Sequence, residues 1–183
     1  ETVLVIGAGP IGLSAMEFVR LTGARLIVMD MVQSRLDFVQ KIYNLTDTVC
    51  ADGTEADLNK IEEMTRNELC DVVIDATGSD RSMNRSLEFC AFGGRVVYVG
   101  ITQGKLSFPH APLLHRRELS ILGSRNALSR DFDRIVKDIE AGRINTAPWI
   151  THRMSWTELP EIFPQLVDPS SGVLKAVATI ESV

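Results

Sequence analysis

Short apolar runs alternate with helical patterns along most of the chain. The runs are rich in Val and Ile, a composition typical of parallel strands that are buried on both faces. The predicted strands are residues 2–6, 25–30, 47–50, 71–75, 94–100 and 118–123. The predicted helices are residues 10–22, 33–43, 55–67, 80–91, 109–115 and 128–141. This alternation predicts an α/β fold in which helices cover both faces of a six-stranded parallel sheet.

The turn between the first strand and the first helix carries the most specific motif. Val3–Ile6 is followed by Gly7-Ala8-Gly9-Pro10-Ile11-Gly12, a Gly-x-Gly-x-x-Gly sequence that opens a predicted helix. Gly7 permits a tight turn, Gly9 lets a pyrophosphate approach the backbone, and Gly12 lets the helix pack closely against the strand. The pyrophosphate would lie at the positive end of that helix. The motif therefore predicts a dinucleotide site on a doubly wound Rossmann sheet with strand order 3-2-1-4-5-6.

Asp30 ends the second predicted strand, eighteen residues after Gly12. An acid at this position can accept hydrogen bonds from the ribose hydroxyls of adenosine, and it repels a 2′-phosphate. The next helix is predicted to begin near Gln33-Ser34, so Asp30 is not needed as its cap. Asp30 therefore favours NAD over NADP.

The ligand of a doubly wound sheet lies where the strand order reverses, between strands one and four. Asp75-Ala76-Thr77-Gly78 follows strand four and is expected opposite the glycine turn. Asp80 is predicted to cap the next helix at its start. Gly93-Gly94 is predicted to end that helix as a C-cap and to lead into strand five.

The pattern changes after residue 142. Residues 148–151 are predicted to be extended, and residues 156–167 to form a helix that Pro164 shortens or kinks. Residues 173–180 are predicted to form a strand with no obvious place in the six-stranded sheet. The predicted domains are a dinucleotide-binding core, residues 1–142, and a C-terminal tail, residues 143–183.

Length and composition suit one globular α/β domain, with 183 residues of which 45% are hydrophobic. The net charge of −5 and the lack of a basic run argue against nucleic acid as a partner. No apolar stretch is long enough to cross a membrane, and no secretory signal precedes the first strand. Cys50, Cys70 and Cys90 form no metal or disulfide pattern, so we expect buried free thiols in a reducing cytoplasm.

Catalytic and metal-binding patterns are missing from the chain. His110, His115 and His152 are scattered, and none has a Cys or an acid at the spacing of zinc ligands. Asp75 and Asp80 are better explained as a strand end and a helix cap than as a catalytic pair. We therefore predict no metal site and no catalytic residue within these 183 residues.

An ordered series of segments carries a family resemblance. The segments are Val3–Gly12, Asp30 with Ser34-Arg35-Leu36, Val73–Gly78, Gly93–Gly100, Glu118–Arg125, Ile150–His152 and the closing strand with Lys175. In this order they resemble the coenzyme domain of the zinc-type medium-chain alcohol and polyol dehydrogenases, such as sorbitol, idonate and galactonate dehydrogenases. The Ser124-Arg125-Asn126 run is most similar to the polyol and sugar-acid branch.

The resemblance implies a set of cofactor-binding residues. Ile11 and Gly12 would donate to the pyrophosphate, because Pro10 has no N–H, and Arg35 would bind the ribose beside Asp30. Residues after strand four would line the adenine side, and residues after strands five and six would contact the nicotinamide half. The implied set is Gly7, Gly9, Pro10, Ile11, Gly12, Asp30, Arg35, Thr77, Gly78, Val99, Gly100, Ile101, Ser124, Arg125 and Asn126.

The resemblance also implies where the chemistry lies. The family's zinc and catalytic residues belong to a second domain, mostly N-terminal to this one, so the chain would bind NAD weakly and catalyse nothing alone. The absence of an initial Met favours a domain cut from a longer polypeptide. That parent would oxidise a secondary alcohol of a small polyol or sugar acid. It would form a homodimer, for which Leu106-Ser107-Phe108 is the expected edge strand.

Two other functions remain open. A zinc-free quinone reductase domain would share the fold, but such enzymes usually prefer NADPH and lack an acid where Asp30 stands. A non-catalytic Rossmann module that senses NAD fits the absence of catalytic residues as well as truncation does. The sequence before Glu1 would separate these alternatives.

Overall fold

The computed structural model describes residues 1–168 and 171–180. The chain forms two compact units, Glu1–Ala127 and Leu128–Val183. No helix in the described residues is both long enough and apolar enough to cross a membrane.

The first unit is a six-stranded parallel sheet in the order β3-β2-β1-β4-β5-β6, which confirms the predicted topology. Its strands are β1 Thr2–Ile6, β2 Arg25–Asp30, β3 Thr48–Cys50, β4 Cys70–Asp75, β5 Cys90–Tyr98 and β6 Ser120–Gly123. Its helices are α1 Pro10–Thr22, α2 Gln33–Tyr43, α3 Glu55–Thr65 and α4 Asp80–Arg85, with a 3-10 turn at Ser86–Phe89 and a π-type turn at His110–His115.

Alternate side chains of the central strands face two different helical layers. Leu4 and Ile27 are fully buried and share a core cluster with Ile61 of α3 and with Leu87. Val5 points the other way, because successive residues of a strand face opposite sides of the sheet. Its Cγ1 lies 3.7 Å from the position that a Cβ on Gly12 of α1 would occupy. Burying one such aliphatic side chain contributes about 1.5–3 kcal/mol, so this two-sided core holds the strand ends in fixed positions.

The prediction for Gly93-Gly94 is wrong. The 3-10 turn ends the fourth helix, and β5 begins before the two glycines, at Cys90. Pairing with β4 then jumps from Cys70↔Cys90 to Val72↔Arg95, so the glycines lie in a bulge of the strand. Gly93 has φ +71°, and a Cβ on Gly94 would lie 2.9 Å from the backbone oxygen of Asp71. The bulge in β5 therefore requires these glycines. The local sequence does not distinguish this role from that of a helix C-cap.

The predicted edge strand at Leu106-Ser107-Phe108 is also wrong. These residues have no regular secondary structure, and Phe108 packs against the core cluster instead of forming an exposed edge. The backbone N–H of Ser107 donates to Asn84 Oδ1 at 2.5 Å. The edge of the sheet on this side is β6.

The second unit contains α5 Ser129–Glu140, β7 Ile150–Ser155, α6 Leu159–Leu166 and β8 Lys175–Thr179. The predicted C-terminal strand is present, and it pairs in parallel with β7 in a separate two-stranded sheet. The prediction of an extended segment is wrong for Pro148 and Trp149, which form a 3-10 turn before β7. The helix α6 is short and contains Pro164, as the sequence predicted.

Candidate dinucleotide-binding site

Two of the three fingerprint glycines are required by the protein's own packing. Gly7 has φ +98°, and a Cβ there would lie 3.2 Å from Thr77 Cγ2 and 3.3 Å from the Ala76 carbonyl carbon. A Cβ on Gly12 would lie 1.7 Å from the Gly7 carbonyl oxygen. The first glycine therefore makes the turn, and the third lets α1 start against that turn.

Gly9 is different, because nothing in the protein demands a glycine there. Its backbone is extended, with φ −79° and ψ −177°, a conformation open to any residue. A Cβ built on Gly9 would meet no atom within 4 Å. Gly9 lines a cleft, so the missing side chain leaves room on the side from which a ligand would approach.

The first turn of α1 contains backbone donors that have no acceptor in the helix, and Ile11 of this turn lines the cleft. The helix begins at Pro10 without a side-chain cap, and its first intrahelical bond runs from Leu13 N–H to the Gly9 carbonyl at 2.8 Å. The N–H groups of Ile11 and Gly12 precede that bond and have no acceptor in the helix. Together with the helix dipole they favour an anion at this end.

Asp30 is held rigidly beside the glycine turn. Its side chain is almost fully buried, and its two oxygens accept from Ala8 N–H at 2.6 Å and from Val32 N–H at 2.8 Å. Arg35 Nη1 lies 3.8 Å from Asp30 Oδ2. A carboxylate has about four lone-pair positions, so two remain for further donors. The helix α2 begins at Gln33 with Val32 at its N-cap, so Asp30 does not cap it.

A cleft of about 480 Å³ joins these groups. It lies at the switch point between β1 and β4, and it brings together seven of the predicted residues: Gly7, Gly9, Pro10, Ile11, Asp30, Arg35 and Thr77. Sequence reasoning missed other polar or small lining residues: Ala51, Gly53, Asp57, Ser79, Arg81, Ser82 and Arg85. Only the position of Ala51 and Gly53 after β3, at the carboxyl edge of the sheet, could have indicated them.

Asp75 organises the ends of β4 and β5 and has no exposed surface. Oδ1 accepts from Thr77 N–H at 2.9 Å and from Thr77 Oγ1 at 2.7 Å, and Oδ2 accepts from Ser82 Oγ at 2.6 Å. The Asp75 backbone carbonyl accepts from both Val99 and Gly100 N–H. Those two amides are therefore occupied, and only their carbonyl groups can meet a ligand.

The other eight residues implied by the resemblance, Gly12 and Val99 among them, lie outside the cleft lining. Gly78 and Gly100 pack backbone to backbone, since a Cβ on Gly100 would lie 2.4 Å from Gly78 N. Ile101 is 77% exposed. The residues after β6 are exposed as well, and Ser124 N–H donates to the Tyr98 carbonyl at 2.9 Å; these residues are Ser124, Arg125 and Asn126.

A buried ion pair supports the loop after β3. Asp57 of α3 accepts from Asp52 N–H at 3.0 Å and from Gly53 N–H at 2.9 Å. Its Oδ2 also lies 3.1 Å from Arg85 Nη1 of α4. The pair fixes one wall of the cleft. The prediction for Asp80 needs a correction, because Ser79 is the N-cap of α4 and Asp80 is its first residue, accepting from Thr102 Oγ1.

The cysteines are free thiols in two different settings. Cys70 and Cys90 are buried register partners of β4 and β5. Burial raises the pKa of Cys70 to about 12 and the pKa of Cys90 to about 11. The expectation of burial is wrong for Cys50, which is exposed at the end of β3. Within residues 1–168 and 171–180, no three His, Cys, Asp or Glu side chains are grouped to hold a metal ion.

Comparison with known proteins agrees with this architecture. The chain is 33% identical over 180 residues to L-galactonate-5-dehydrogenase of Escherichia coli (strain K12). The matched region covers 98% of this chain and 52% of that protein. The chain is 30% identical over 186 residues to D-xylulose reductase A of Aspergillus niger, and that match covers 100% of this chain and 51% of the reductase. The chain thus spans about half the length of the curated relatives it matches.

A solved structure shares the fold over nearly the whole chain. It is an alcohol dehydrogenase from Escherichia coli CFT073 in complex with NADH, with a TM-score of 0.85 and 21% identity over 98% of this chain and 52% of that one. A family model described as zinc-binding dehydrogenase matches residues 10–141. The ordered motifs, the sheet topology and this match agree, and the chain belongs to the zinc-binding dehydrogenase family.

Proposed function

We propose that this chain is the NAD-binding domain of an oxidoreductase that moves hydride from a secondary alcohol to NAD. The observation that carries the proposal is the empty space at Gly9. Steric packing accounts for Gly7 and Gly12, whereas no packing contact requires Gly9, which borders a cleft where the missing side chain leaves room for a bound group. Free N–H groups and a fixed carboxylate flank that space, as a pyrophosphate and a ribose require.

The residues around the cleft fit the adenosine half of NAD. Ile11 and Gly12 N–H would hold the pyrophosphate, and the free lone pairs of Asp30 would accept from the ribose hydroxyls. Thr77 would line the cleft from the β4 side. For the nicotinamide half we propose the carbonyls of Val99, Gly100 and Ile101, and the residues after β6, Ser124, Arg125 and Asn126. When bound, NAD would supply the hydride acceptor.

We propose NAD as the cofactor in preference to NADP. A 2′-phosphate would stand next to the buried Asp30 carboxylate, for which the described part of the chain offers no counter-ion closer than Arg35 at 3.8 Å. Arg35 is partly exposed and is shared with Asp30, so it offsets only part of the repulsion. The related structure that was solved with NADH supports the same choice.

Zinc and the catalytic residues would lie in another domain of the polypeptide. The chain spans about half the length of its curated relatives, which supports a further domain of that kind. The relatives' names, a galactonate dehydrogenase and a xylulose reductase, support a small polyol or sugar acid as substrate. We also propose a cytoplasmic homodimer in which β6 pairs along its open edge, because an edge strand offers unpaired backbone groups.

Ligand-observed NMR with ADP-ribose, NAD and NADP tests the cofactor assignment, because it detects millimolar affinities. We expect ADP-ribose and NAD to bind with similar strength and NADP about tenfold more weakly, as one unscreened charge contact implies. Gly9→Ala should weaken NAD and ADP-ribose alike without changing the fold. A chain that binds neither ligand at millimolar concentration, or that prefers NADP, overturns the proposal.

A further inference from the structure

One arginine in the cleft has no role in the fingerprint. Arg81 lies in the first turn of α4 and is exposed, and its side chain lines the cleft. It crosses to the loop after β3, where Nη2 donates to the Gly53 carbonyl at 2.8 Å. Among the described residues Arg81 makes no ion pair, so its charge is not neutralised by the protein.

The neighbouring arginine behaves differently. Arg85 pairs with Asp57 at 3.1 Å and Glu88 at 3.2 Å, and it donates to the Thr54 carbonyl at 2.7 Å. Its donors therefore serve the fold. The hydrogen bond from Arg81 to the Gly53 carbonyl positions its side chain, and the planar guanidinium borders the open cleft.

Gly53 makes room for this arrangement. A Cβ there would lie 2.6 Å from Arg81 Nη2 and 2.7 Å from Arg81 Cζ, so any side chain would push the guanidinium away. Gly53 also has φ +79°, and its N–H is bound by Asp57. The loop is thus shaped to let the guanidinium lie against its backbone.

Sheet order gives the direction in which a dinucleotide would extend. The pyrophosphate belongs at α1, which follows β1, and the ribose belongs at Asp30, which ends β2. Continuing the same way across the sheet leads to the end of β3, where Ala51 and Gly53 lie. The base attached to that ribose would therefore reach the loop on which Arg81 rests.

We propose that Arg81 is a specificity-determining residue that covers the adenine ring of the bound cofactor. Its planar guanidinium would stack on the purine, and Gly53 would hold it in place. This inference rests on the proposed NAD site and adds the group that recognises the base.

The test compares ADP with UDP, two ligands that differ only in the base and share the ribose and pyrophosphate. Wild type should bind ADP more tightly, and Arg81→Ala should weaken ADP about fivefold while UDP changes less, so that the preference collapses. Arg81→Lys keeps the charge without the plane and should recover less than half of the lost preference. Arg66→Ala removes an equal charge before β4, at the opposite end of the strands, and should leave both affinities unchanged.

Gly53→Ala tests the same proposal without changing Arg81. In the wild-type background it should displace the guanidinium and reduce the ADP preference, whereas in the Arg81→Ala background it should have no further effect. Circular dichroism checks that each variant is folded. Equal losses of ADP and UDP in Arg81→Ala, or an unchanged preference, overturn the inference while ADP-ribose binding keeps the NAD site intact. Failure of wild type to bind ADP-ribose removes both proposals.

Discussion

Gly12→Ala should destabilise the first unit far more than one added methyl group suggests. The new Cβ would lie 1.7 Å from the Gly7 carbonyl oxygen, whereas real Cβ atoms essentially never approach closer than 3.0 Å. The obstructing atom is backbone, so no side-chain rotation relieves the clash. Either α1 moves away from β1 or the glycine turn deforms.

The size of the effect follows from two opposing energies and from the rigidity of the turn. Overpacking a tight interior costs about 1–3 kcal/mol, and a fixed backbone atom places this site at the upper end. Replacing glycine by alanine within a helix returns about 1 kcal/mol. The turn cannot yield freely, because Gly7 N–H donates to the Met29 carbonyl at 2.8 Å and Asp30 holds Ala8. We expect a net loss of about 2 kcal/mol, against a total stability of about 5–15 kcal/mol.

Urea unfolding followed by far-ultraviolet circular dichroism measures this loss. Far-ultraviolet circular dichroism is chosen because the first unit contains no tryptophan; Trp149 and Trp156 both lie in the second unit. The unfolding midpoint should fall by about 1 M urea. Gly9→Ala is the matched control, since its Cβ meets no atom, and it should leave the midpoint unchanged. Equal midpoints for Gly12→Ala and wild type would refute the steric reasoning.

Three further predictions concern the Asp57–Arg85 ion pair and the cysteines. Asp57→Ala should lower the free energy of unfolding, measured in urea, by about 3 kcal/mol, because it removes one of the two carboxylates that pair with Arg85 and leaves Asp52 N–H and Gly53 N–H without their acceptor; a loss below about 1 kcal/mol would contradict this. In native protein a thiol reagent should label Cys50 rapidly and leave Cys70 and Cys90 unlabelled. Burial raises the pKa of Cys70 to about 12 and the pKa of Cys90 to about 11 in the folded state, whereas an unburied thiol has a pKa of 9.0. The folded-state pKa is the higher one, so the contribution of each buried thiol to stability is complete well below pH 9 and decreases as the pH rises through 9, by about 1 kcal/mol per thiol at pH 10; a flat profile would count against buried, protonated thiols.

Local sequence predicted the fold well wherever a residue pattern is compatible with only one kind of local structure. The Val- and Ile-rich runs are strands of the sheet, their alternation with helices indicates a parallel sheet, and the glycine motif indicates the strand order. The glycine turn was predictable because each glycine of the motif has a known role: one makes the turn, one leaves room for a pyrophosphate, and one lets the helix pack against the strand. Gly93-Gly94 was not, because a helix end and a strand bulge use the same residue, and the choice depends on the pairing of Cys90 with Cys70.

The wall of the cleft could not be predicted from the sequence. Arg81 and Gly53 are 28 residues apart, and their contact depends on how α4 and the loop after β3 meet at the sheet edge. Asp57 gives no local signal either, because its acceptor role follows from the fold of residues 52–53 around it. Such residues have no fixed spacing from the fingerprint, so they become visible only when the strand ends are brought together.

The dual contacts of Asp30 decide how its role in cofactor choice must be measured. Its oxygens hold Ala8 N–H at 2.6 Å and Val32 N–H at 2.8 Å, so Asp30→Ala removes a cofactor contact and two supports of the turn together. A simple loss of NAD affinity would therefore not separate recognition from structural damage. The ratio of NAD to NADP affinity does separate them, because a damaged turn weakens both ligands alike, whereas a lost carboxylate relieves repulsion of the 2′-phosphate alone. We expect Asp30→Ala to reduce the NAD preference severalfold, and an unchanged ratio would show that Asp30 serves the turn and not the choice of cofactor.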